Sequence, residues 1–333
     1  MPDAENNYTI GVDVGGTKVY TILIDSENQV LARSKKKSRE GNPNIIIDRI
    51  TGTITAVTES SNVPLDRVAG IGIGFPGPLN PDTGVVLEAT NLPGWDHFPL
   101  ADEIKKQTGR PAFLDNDVNL GTLGEALAGS GKGASNVIGI FLGTGVGGGI
   151  VLGKKLYHGT SGTAGEVGHM IIQHGGRKSP RGLFGTVEGL TSRVSVVDQL
   201  VEAISSGTKS SLSSIVKSGN RIRSRAIAKA YRDGDKLVVD TLHRTAEFVG
   251  VTVGSLINFL APDVVVLGGG VMEAIPESIL PIAKKVAKSI AVPGAWKHVQ
   301  IVEAELGDDA GAMGGALLAR QNVVCSPVGS PNS

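Results

Sequence analysis

Two stretches of the chain share one pattern, and this repetition limits the possible folds more than any other feature. Residues 10–25 read IGVDVGGTKVYTILID and residues 138–153 read IGIFLGTGVGGGIVLG. Each stretch places a glycine turn between two short apolar runs, which is typical of a strand, turn and strand unit. Because the unit occurs twice, we interpret it as an internal duplication. We therefore predict a mixed α/β protein with two related lobes.

The rest of the chain supplies further strands and helices. Apolar residues recur at helical spacing in some segments and form short continuous runs in others. The predicted strands are 8–14, 19–24, 30–34, 68–74, 112–114, 138–142, 150–152 and 264–267, and the predicted helices are 45–57, 100–107, 118–128, 239–260 and 311–320. We expect a smaller N-terminal α/β lobe (1–114, completed by a C-terminal helix at about 311–322), a larger α/β lobe (115–310) and a disordered tail (323–333).

Charge and cysteine content exclude several classes of protein. Lys+Arg and Asp+Glu both number 32, so the net charge is zero and no global field attracts a polyanion. Cys325 is the only cysteine, which excludes an internal disulfide and a zinc site built on several thiolates. No apolar run approaches the roughly 18 to 20 residues of a membrane helix, and the polar start lacks signal-peptide features. We expect a cytoplasmic protein with neither nucleic acid nor membrane as partner.

The first glycine turn has the chemistry of a phosphate site. Glycines lack Cβ atoms, so the backbone N–H groups of Gly15 and Gly16 can approach phosphate oxygens closely. We expect Asp13 to hold hydrated Mg²⁺ and Thr17 to contact a transferring phosphoryl group, while Lys18 either assists or is solvated. The alternative is that the two glycines only make a hairpin turn. The second copy of the unit favours the phosphate role.

Two other nucleotide motifs are matched only by their letters. Residues 143–148 fit the dinucleotide fingerprint G-x-G-x-x-G, which requires a helix directly after the glycines. Residues 150–152 predict a strand there, so we reject a Rossmann site. Residues 129–132 resemble part of a P-loop, but they follow a predicted helix, and Ala126 and Gly133 stand where that motif needs Gly and Ser/Thr. We reject this motif as well.

A carboxylate at the end of a predicted strand suits proton transfer. Phosphoryl transfer to an alcohol needs a nearby group that accepts the hydroxyl proton, and Asp117 suits that task. Its alternative role is to cap the helix that follows. Sugars are bound by carboxylates, amides and imidazoles, so Asn116, Glu166, His169 and Glu188 form a suitable set. Taken singly, a histidine such as His169 is more often structural, and an acid such as Glu188 is more often a solvated residue at a helix start.

Six motifs follow one another along the chain and together resemble a known family. They are DVGGTK at Asp13–Lys18, GFPGP at Gly74–Pro78, NLPGW at Asn91–Trp95, DNDVN at Asp115–Asn119, LGTGVGGG at Leu142–Gly149 and GEVGH at Gly165–His169. In this order they resemble the ROK family of sugar kinases and repressors. The resemblance runs from about Tyr8 to Arg320.

The resemblance implies an α/β, two-lobed actin-like ATPase fold, a duplicated ribonuclease H-like fold with ATP and sugar in the cleft. It also implies Mg²⁺ as cofactor, Asp117 as general base, and a homodimer or higher homo-oligomer. The implied sugar-binding residues are Gly77, Asn91, Asn116, Asp117, Glu166, His169 and Glu188. The implied ATP-binding and phosphate-binding residues are Asp13, Gly15, Gly16, Thr17, Lys18, Gly143, Thr144, Gly145, Gly268, Gly269 and Gly270.

One departure from the family pattern is large. Many members follow the Gly-His pair with a C-x-C-G-x-x-G-C-x-E zinc motif, and residues 179–188 here read SPRGLFGTVE. All three thiolates are replaced, so we predict no structural zinc and expect His169 to act only near the sugar. The nearby Arg177, Lys178 and Arg181 allow polyphosphate as an alternative phosphoryl donor, although exposed cations usually only face solvent.

The choice of substrate follows from the same resemblance. The GEVGH and NLPGW segments most resemble the family's glucokinases, which favours ATP-dependent phosphorylation of the 6-hydroxyl of glucose. The alternatives are a kinase for N-acetylglucosamine, N-acetylmannosamine or fructose, and a non-catalytic sugar-binding protein. The first predicted strand begins near Tyr8, so we do not expect a repressor with an N-terminal winged helix-turn-helix.

Overall fold

The computed structural model describes residues 8–37, 42–88, 94–179 and 182–325. The chain forms two units. The first unit comprises Met1–Gly133, Gly149–Ala164 and Asp308–Ser333, and the second comprises Ala134–Gly148 and Gly165–Gly307. The chain therefore leaves the first unit and returns to it twice.

The strands and helices follow one another in the order that the sequence predicts. Within the described residues the strands are β1 (Tyr8–Val14), β2 (Lys18–Ile24), β3 (Val30–Lys37), β4 (Val68–Phe75), β5 (Leu79–Asn80), β6 (Val85–Val86), β7 (Ala112–Asn116), β8 (Val137–Leu142), β9 (Val146–Leu152), β10 (Lys155–Leu156), β11 (Val264–Gly268) and β12 (Gln300–Glu303). The helices are α1 (Pro43–Ser61), α2 (Leu100–Thr108), α3 (Asp117–Leu127), α4 (Val187–Thr191), α5 (Arg193–Ser205), α6 (Ser213–Lys217), α7 (Ser224–Arg232), α8 (Lys236–Leu260), α9 (Gly270–Ala274), α10 (Pro276–Ile290), α11 (Pro293–Trp296) and α12 (Ala310–Cys325).

The first unit is built on a five-stranded sheet of order β3-β2-β1-β4-β7. Strand β1 is antiparallel to β2 and parallel to β4, and β4 is parallel to β7. Helix α1 packs an apolar stripe into the core of this unit through Ile46, Ile50 and Ile54. The parallel strands β1, β4 and β7 therefore all end at the same edge of the sheet.

Helix α12 lies close against this sheet because glycines face it. A Cβ atom at Gly11 on β1 would overlap the carbonyl oxygen of Ala312, and one at Gly72 on β4 would overlap that of Gly315. Glycine in a strand often marks such a close approach of another backbone. The packing brings the beginning of α12 to the strand end that carries Asp13, where a Cβ at Gly311 would lie 3.2 Å from Cγ of Asp13.

The second sheet repeats the topology of the first, with the order β10-β9-β8-β11-β12. Strands β8, β11 and β12, which are parallel, belong to the second unit together with β9 as far as Gly148. Helices α8 and α10 pack closely in this unit, where a Cβ at Gly254 would lie 2.9 Å from Cβ of Ile290. The repeated strand order confirms the predicted duplication and the α/β fold class.

The structure corrects one predicted strand boundary. Strand β9 begins at Val146 rather than at residue 150, so the glycines up to Gly149 lie in the strand. A Cβ at Gly148 would lie 2.8 Å from the carbonyl oxygen of Gly165, and one at Gly149 would overlap Oγ1 of Thr122. These glycines are therefore required by packing. This is a tertiary constraint, and from composition alone such a glycine run resembles a turn. A strand directly after the turn agrees with the rejection of a Rossmann site.

The predicted smaller lobe, 1–114 with 311–322, lies inside the first unit, which also contains α3 and β10. Helix α3 belongs there because Gly314 of α12 lies against the backbone of Leu120. The predicted tail, 323–333, lies outside the described residues except where α12 continues to Cys325. Within the described part of the chain, no helix combines the length and apolar character needed to cross a membrane.

Candidate active site

Two carboxylates of the first unit meet at the carboxyl edge of its parallel strands. Asp13 on β1 pairs in register with Gly74 on β4, and Gly74 pairs with Asp115 on β7. Asp117 follows at the start of α3, where a Cβ at Gly74 would lie 3.5 Å from its Cα. A Cβ at Gly74 would also lie 3.3 Å from Cδ1 of Leu120, so the absence of a side chain there lets the start of α3 lie close to β4. Ligand sites of α/β proteins are commonly found at this edge.

The pKa values of Asp13 and Asp117 are both raised, which fits a general base close to a cation site. Burial, the Asp117 carboxylate and Asp308 raise the pKa of Asp13 to about 6, against the opposing effect of Lys18. Burial also raises the pKa of Asp117, and backbone N–H groups offset this only in part. A poised carboxylate of this kind suits a general base.

The donors at this edge also fit a hydrated Mg²⁺. Asp13 offers carboxylate oxygens, the ligand type that Mg²⁺ prefers, and Mg²⁺ usually keeps several waters and substrate phosphates as its other ligands. Among the described residues, no cluster of three or more His, Cys, Asp or Glu side chains is arranged around a metal position. Asp13 is the residue that would hold Mg²⁺, with the nucleotide and water as further ligands.

The helix cap at this junction is Asn116, and the prediction that Asp117 caps α3 is wrong. Oδ1 of Asn116 accepts hydrogen bonds from the backbone N–H groups of Val118 (2.9 Å) and Asn119 (3.4 Å). Asp117 is the first residue of the helix, and its Oδ1 accepts from Val118 N at 3.0 Å. The Asn116 oxygen is thus engaged by the helix, and its amide NH₂ group is the part that can donate to a sugar hydroxyl.

Packing and backbone conformation do not by themselves require glycine in the first glycine turn. Gly15 N–H donates to Lys18 O at 2.9 Å, which closes the turn. No described atom lies within 4 Å of a Cβ built on Gly16, and neither Gly15 nor Gly16 has a positive φ. Gly16 and Thr17 are exposed. The open space beside Gly16 is compatible with a ligand, and the phosphate role of this turn stays a prediction.

Lys18 has an ion-pair partner in the first unit, and its phosphate role stays a prediction. Its Nζ lies 2.9 Å from Oδ1 of Asp308, just before α12. Asp308 was missed by the sequence analysis, and its neighbour Asp309 binds Arg33 (2.7 Å) and the Tyr20 hydroxyl (2.5 Å). These contacts join residues almost 300 positions apart, at separations of 276 to 290. A local sequence pattern contains no signal for them.

The remaining sugar residues predicted in the first unit are Gly77 and Asn91. Gly77 has a φ of +100° in the turn between β4 and β5, so the turn itself needs glycine there. Asn91 lies outside the described residues. Neither position is tested as a sugar contact.

The second unit contains the other glycine turn, between β8 and β9. Val146 N–H donates to Oε2 of Glu188 at 3.1 Å, and a Cβ at Gly145 would overlap that oxygen. Arg193, the first residue of α5, donates its N–H to Gly143 O and its Nη2 to Oγ1 of Thr144, both at 3.0 Å. Glu188 and Arg193 thus hold the turn from two helices. The sequence analysis missed Arg193, since nothing in its local pattern sets it apart.

The Gly-Glu-Val-Gly-His segment also lies in the second unit. Glu166 precedes a short 3₁₀ helix that ends at His169, and Oε2 of Glu166 lies 3.2 Å from Nδ1 of His169. The angle at this contact is not that of a hydrogen bond, and Nδ1 is a buried atom without a hydrogen-bond partner among the described residues. An unsatisfied imidazole nitrogen at this place is consistent with a ligand contact.

The third glycine cluster forms the turn from β11 to α9. Gly269 has a φ of +87°, and a Cβ there would lie 2.7 Å from the backbone nitrogen of Leu142 at the end of β8. The turn therefore lies against the end of β8, directly before Gly143. An apolar cleft follows, and its lining residues are Arg193, Val196, Ser224, Ile227, Leu242, Val271, Ala274 and Ile275.

Comparison with known proteins identifies the family. The model of the ROK family matches residues 9–322. The chain belongs to the ROK family. Glucokinase from Halalkalibacterium halodurans is 31% identical to this ROK protein over 318 residues, which cover 95% of this chain and 96% of that protein. Glucokinase from Streptomyces coelicolor is 32% identical over 318 residues, with coverage of 94% and 98%.

A solved structure gives the same relationship in three dimensions. The ROK family glucokinase from Streptomyces griseus, solved in complex with glucose and AMPPNP, is 32% identical and superposes with a TM-score of 0.77. The match covers 94% of this chain and 99% of that chain. The predicted actin-like ATPase fold of the ROK kinases is thereby confirmed.

The loop that carries cysteines in many ROK proteins is held here by other contacts. Ser179 N–H donates to Leu183 O (2.7 Å), Gly185 N–H to Arg177 O (2.8 Å), and Ile172 N–H to Gly185 O (2.9 Å). Arg177 forms an ion pair with Glu202 at 2.5 Å. This pairing engages one of the three cations that suggested polyphosphate.

The donor set of this loop does not fit zinc. Ser179 and Thr186 stand at two of the cysteine positions, and residue 181 at the third lies outside the described residues. Oγ1 of Thr186 accepts from Gly189 N at 3.1 Å as the cap of α4. Structural zinc sites use thiolates and imidazoles. The absence of zinc stays a prediction.

Proposed function

We propose that this ROK protein is an ATP-dependent glucokinase that phosphorylates the 6-hydroxyl of glucose. The observation that carries the proposal is the placement of Asp117, a partly buried carboxylate with a raised pKa at the strand edge that also holds Asp13. The similarity to the glucokinases, at about 31 to 32% identity over nearly the whole chain, supports glucose as the acceptor.

In the proposed reaction Asp117 accepts the proton of the 6-hydroxyl as its oxygen attacks the γ-phosphorus of ATP. The bond between that phosphorus and the β,γ-bridging oxygen breaks, and glucose 6-phosphate and ADP are released. Mg²⁺, when bound, neutralises phosphate charge next to Asp13. Burial raises the pKa of Asp117, which makes it a stronger proton acceptor than an exposed aspartate.

The proposed ligand contacts are assigned within each unit. In the first unit, Gly77, Asn91, Asn116 and Asp117 contact the sugar, and Asp13, Gly15, Gly16, Thr17 and Lys18 serve the phosphates and Mg²⁺. In the second unit, Glu166, His169 and Glu188 contact the sugar. The turns Gly143–Gly145 and Gly268–Gly270 serve the phosphates and the nucleoside.

The setting of the activity is part of the proposal. Glucose 6-phosphate is an intermediate of glycolysis, so we propose a role in carbohydrate metabolism in the cytoplasm. We also propose a homodimer or higher homo-oligomer, which light scattering coupled to size exclusion tests directly.

The test is ADP release in a coupled assay with Mg-ATP. The acceptor panel contains glucose, N-acetylglucosamine, N-acetylmannosamine, mannose, fructose and allose, and a second series replaces ATP with polyphosphate and measures sugar phosphate. We expect the highest kcat/KM with glucose and ATP. Turnover of another sugar identifies a different ROK kinase, whereas sugar binding without turnover of any acceptor favours a non-catalytic sugar-binding protein.

A further inference from the structure

A second aspartate lies directly behind the proposed base and takes no part in the proposed chemistry. Asp115, at the end of β7, is only 1% exposed. Its Oδ1 accepts from Asn116 N–H at 2.8 Å and from Nδ2 of Asn119 at 2.9 Å. Its Oδ2 lies 2.7 Å from Nε2 of His158. A buried carboxylate needs such donors, and within the described part of the chain the contact to its second oxygen comes from His158.

His158 belongs to a loop that leads out of the first unit. The loop follows β10, and the chain passes to the second unit between Ala164 and Gly165. Gly159 and Gly162 both have a positive φ, at 65° and 75°. Glycines leave a backbone many accessible conformations, so the path of this loop depends on its anchors.

The His158 imidazole anchors this loop to the end of β7, the strand that leads to Asp117. His158 O accepts from Ala164 N–H at 3.1 Å, which closes the loop, while the ring reaches Asp115 across 43 positions of sequence. The hydrogen bond to Asp115 raises the pKa of His158. The contact is therefore stronger when the imidazole carries a proton.

We infer that His158 is a positioning residue for Asp117, acting through Asp115. The inference rests on the proposed kinase activity. Asp115 holds Asn116, the cap of α3, and Asn119 on the next turn of that helix, and Asp117 lies between them. Loss of the His158 donor leaves one oxygen of a buried carboxylate unsatisfied, so the strand end and the first turn of α3 must rearrange. A displacement of the base by about 1 Å can cost roughly 10² in rate.

The experiment compares three substitutions of His158 with a matched control. His158→Phe removes the donor, His158→Asn is too short to reach Asp115, and His158→Gln keeps an N–H donor at nearly the original reach. His298→Gln changes an exposed histidine of the second unit and serves as the control. We measure kcat and both KM values at a temperature where circular dichroism shows each variant folded.

We expect kcat of the Phe and Asn variants to fall about tenfold or more, with KM for ATP unchanged and KM for glucose raised less than about threefold. The Gln variant should recover most of the kcat, and the control should match the wild type. Loss of thermal stability without loss of kcat in the folded variants, or a Gln variant no better than Asn, would overturn the inference.

A further measurement does not depend on activity. In NMR of the histidine rings, Asp115→Asn should lower the pKa of the His158 signal, because the hydrogen bond to Asp115 raises it, and an unchanged pKa would overturn the contact. If the wild type releases ADP with glucose, the proposed function stands whatever His158 does. If it does not, the proposed function fails, while the NMR result still decides whether the contact exists.

Discussion

At the scale of single residues, two neighbouring aspartates have different tasks because their surroundings differ. Asn116 rather than Asp117 caps α3, and the Asp117 carboxylate accepts a hydrogen bond from Val118 N. Asp13 lies near it, and the mutual repulsion of the two carboxylates adds to the effect of burial. Repulsion between two close carboxylates destabilises a folded protein unless a bound cation or a proton reduces it. Such pairs are therefore typical of functional sites.

The base assignment predicts the effect of a single atom change. Asp117→Asn keeps the shape of the side chain but removes the proton acceptor, so we expect kcat to fall by roughly 10² or more. Glucose binding, followed by calorimetry, should change little. A kcat near that of the wild type would exclude Asp117 as the base.

The raised pKa of Asp13 predicts an unusual dependence of stability on pH. Because the folded pKa of about 6 exceeds the unfolded value, the folded protein binds the proton more tightly, and the contribution of Asp13 to stability falls as pH rises from about 4 to about 6. Above this range the charged carboxylate is a constant cost in the metal-free protein.

Asp13→Asn should remove that cost. We expect the variant to have a higher Tm than the wild type at pH 8 in EDTA, with the difference shrinking at pH 5, and to lose activity. A variant less stable than the wild type at pH 8 contradicts the burial of an unbalanced charge.

At the scale of elements, glycines have two distinct reasons to be present. Gly11 and Gly72 on β1 and β4 allow α12 to lie against the sheet. Gly16 has no described neighbour that excludes a side chain. Glycine is therefore required by packing at the first two positions, whereas ligand approach is the role that we propose for Gly16.

This contrast predicts opposite phenotypes for two alanine substitutions. Gly11→Ala should lower Tm strongly or prevent folding, because the added methyl group overlaps the backbone of α12. Gly16→Ala should leave Tm within about 2 °C but raise KM for ATP, because only the ligand meets the methyl group. Thermal melts and kinetics of both variants check the pair, and a normal KM for ATP in Gly16→Ala would argue for a simple hairpin turn.

The position of Arg193 at the start of helix α5 predicts a further contact with ATP, the phosphoryl donor. Arg193 binds Gly143 and Thr144, and among the described residues no carboxylate is recorded in an ion pair with it. We expect Arg193→Ala to raise KM for ATP about tenfold and leave KM for glucose nearly unchanged. Arg244→Ala on α8, an exposed position, is the control. Equal kinetics for the two variants would show that Arg193 serves only the fold.

At the scale of the whole molecule, each unit carries its own core and its own glycine turn. The core of the first unit lies between its sheet and α1, and that of the second unit contains β8, β11, α8 and α10. The loop at 170–187 is held by backbone hydrogen bonds and by Arg177 with Glu202. The stability of the whole chain should therefore not depend on a bound metal.

Metal removal separates the structural role of a metal from a catalytic one. We expect exhaustive chelation to leave Tm unchanged and to abolish phosphoryl transfer, and added Mg²⁺ to restore activity without Zn²⁺. A chelation-induced fall in Tm that only Zn²⁺ reverses would reveal a structural zinc and contradict the loop assignment.

Local patterns in the sequence determined the duplicated strand and turn units, most element positions, and the placement of Asp13 and Asp117 at strand ends, because strand runs and turn glycines act over a few residues. Only the tertiary structure decided that Asn116 is the cap, that Lys18 pairs with Asp308, and that Glu188 and Arg193 hold the second turn. It also decided that His158 reaches Asp115. The partners in most of these contacts are separated by 42 to 290 positions of chain, so their meeting depends on the packing of whole elements.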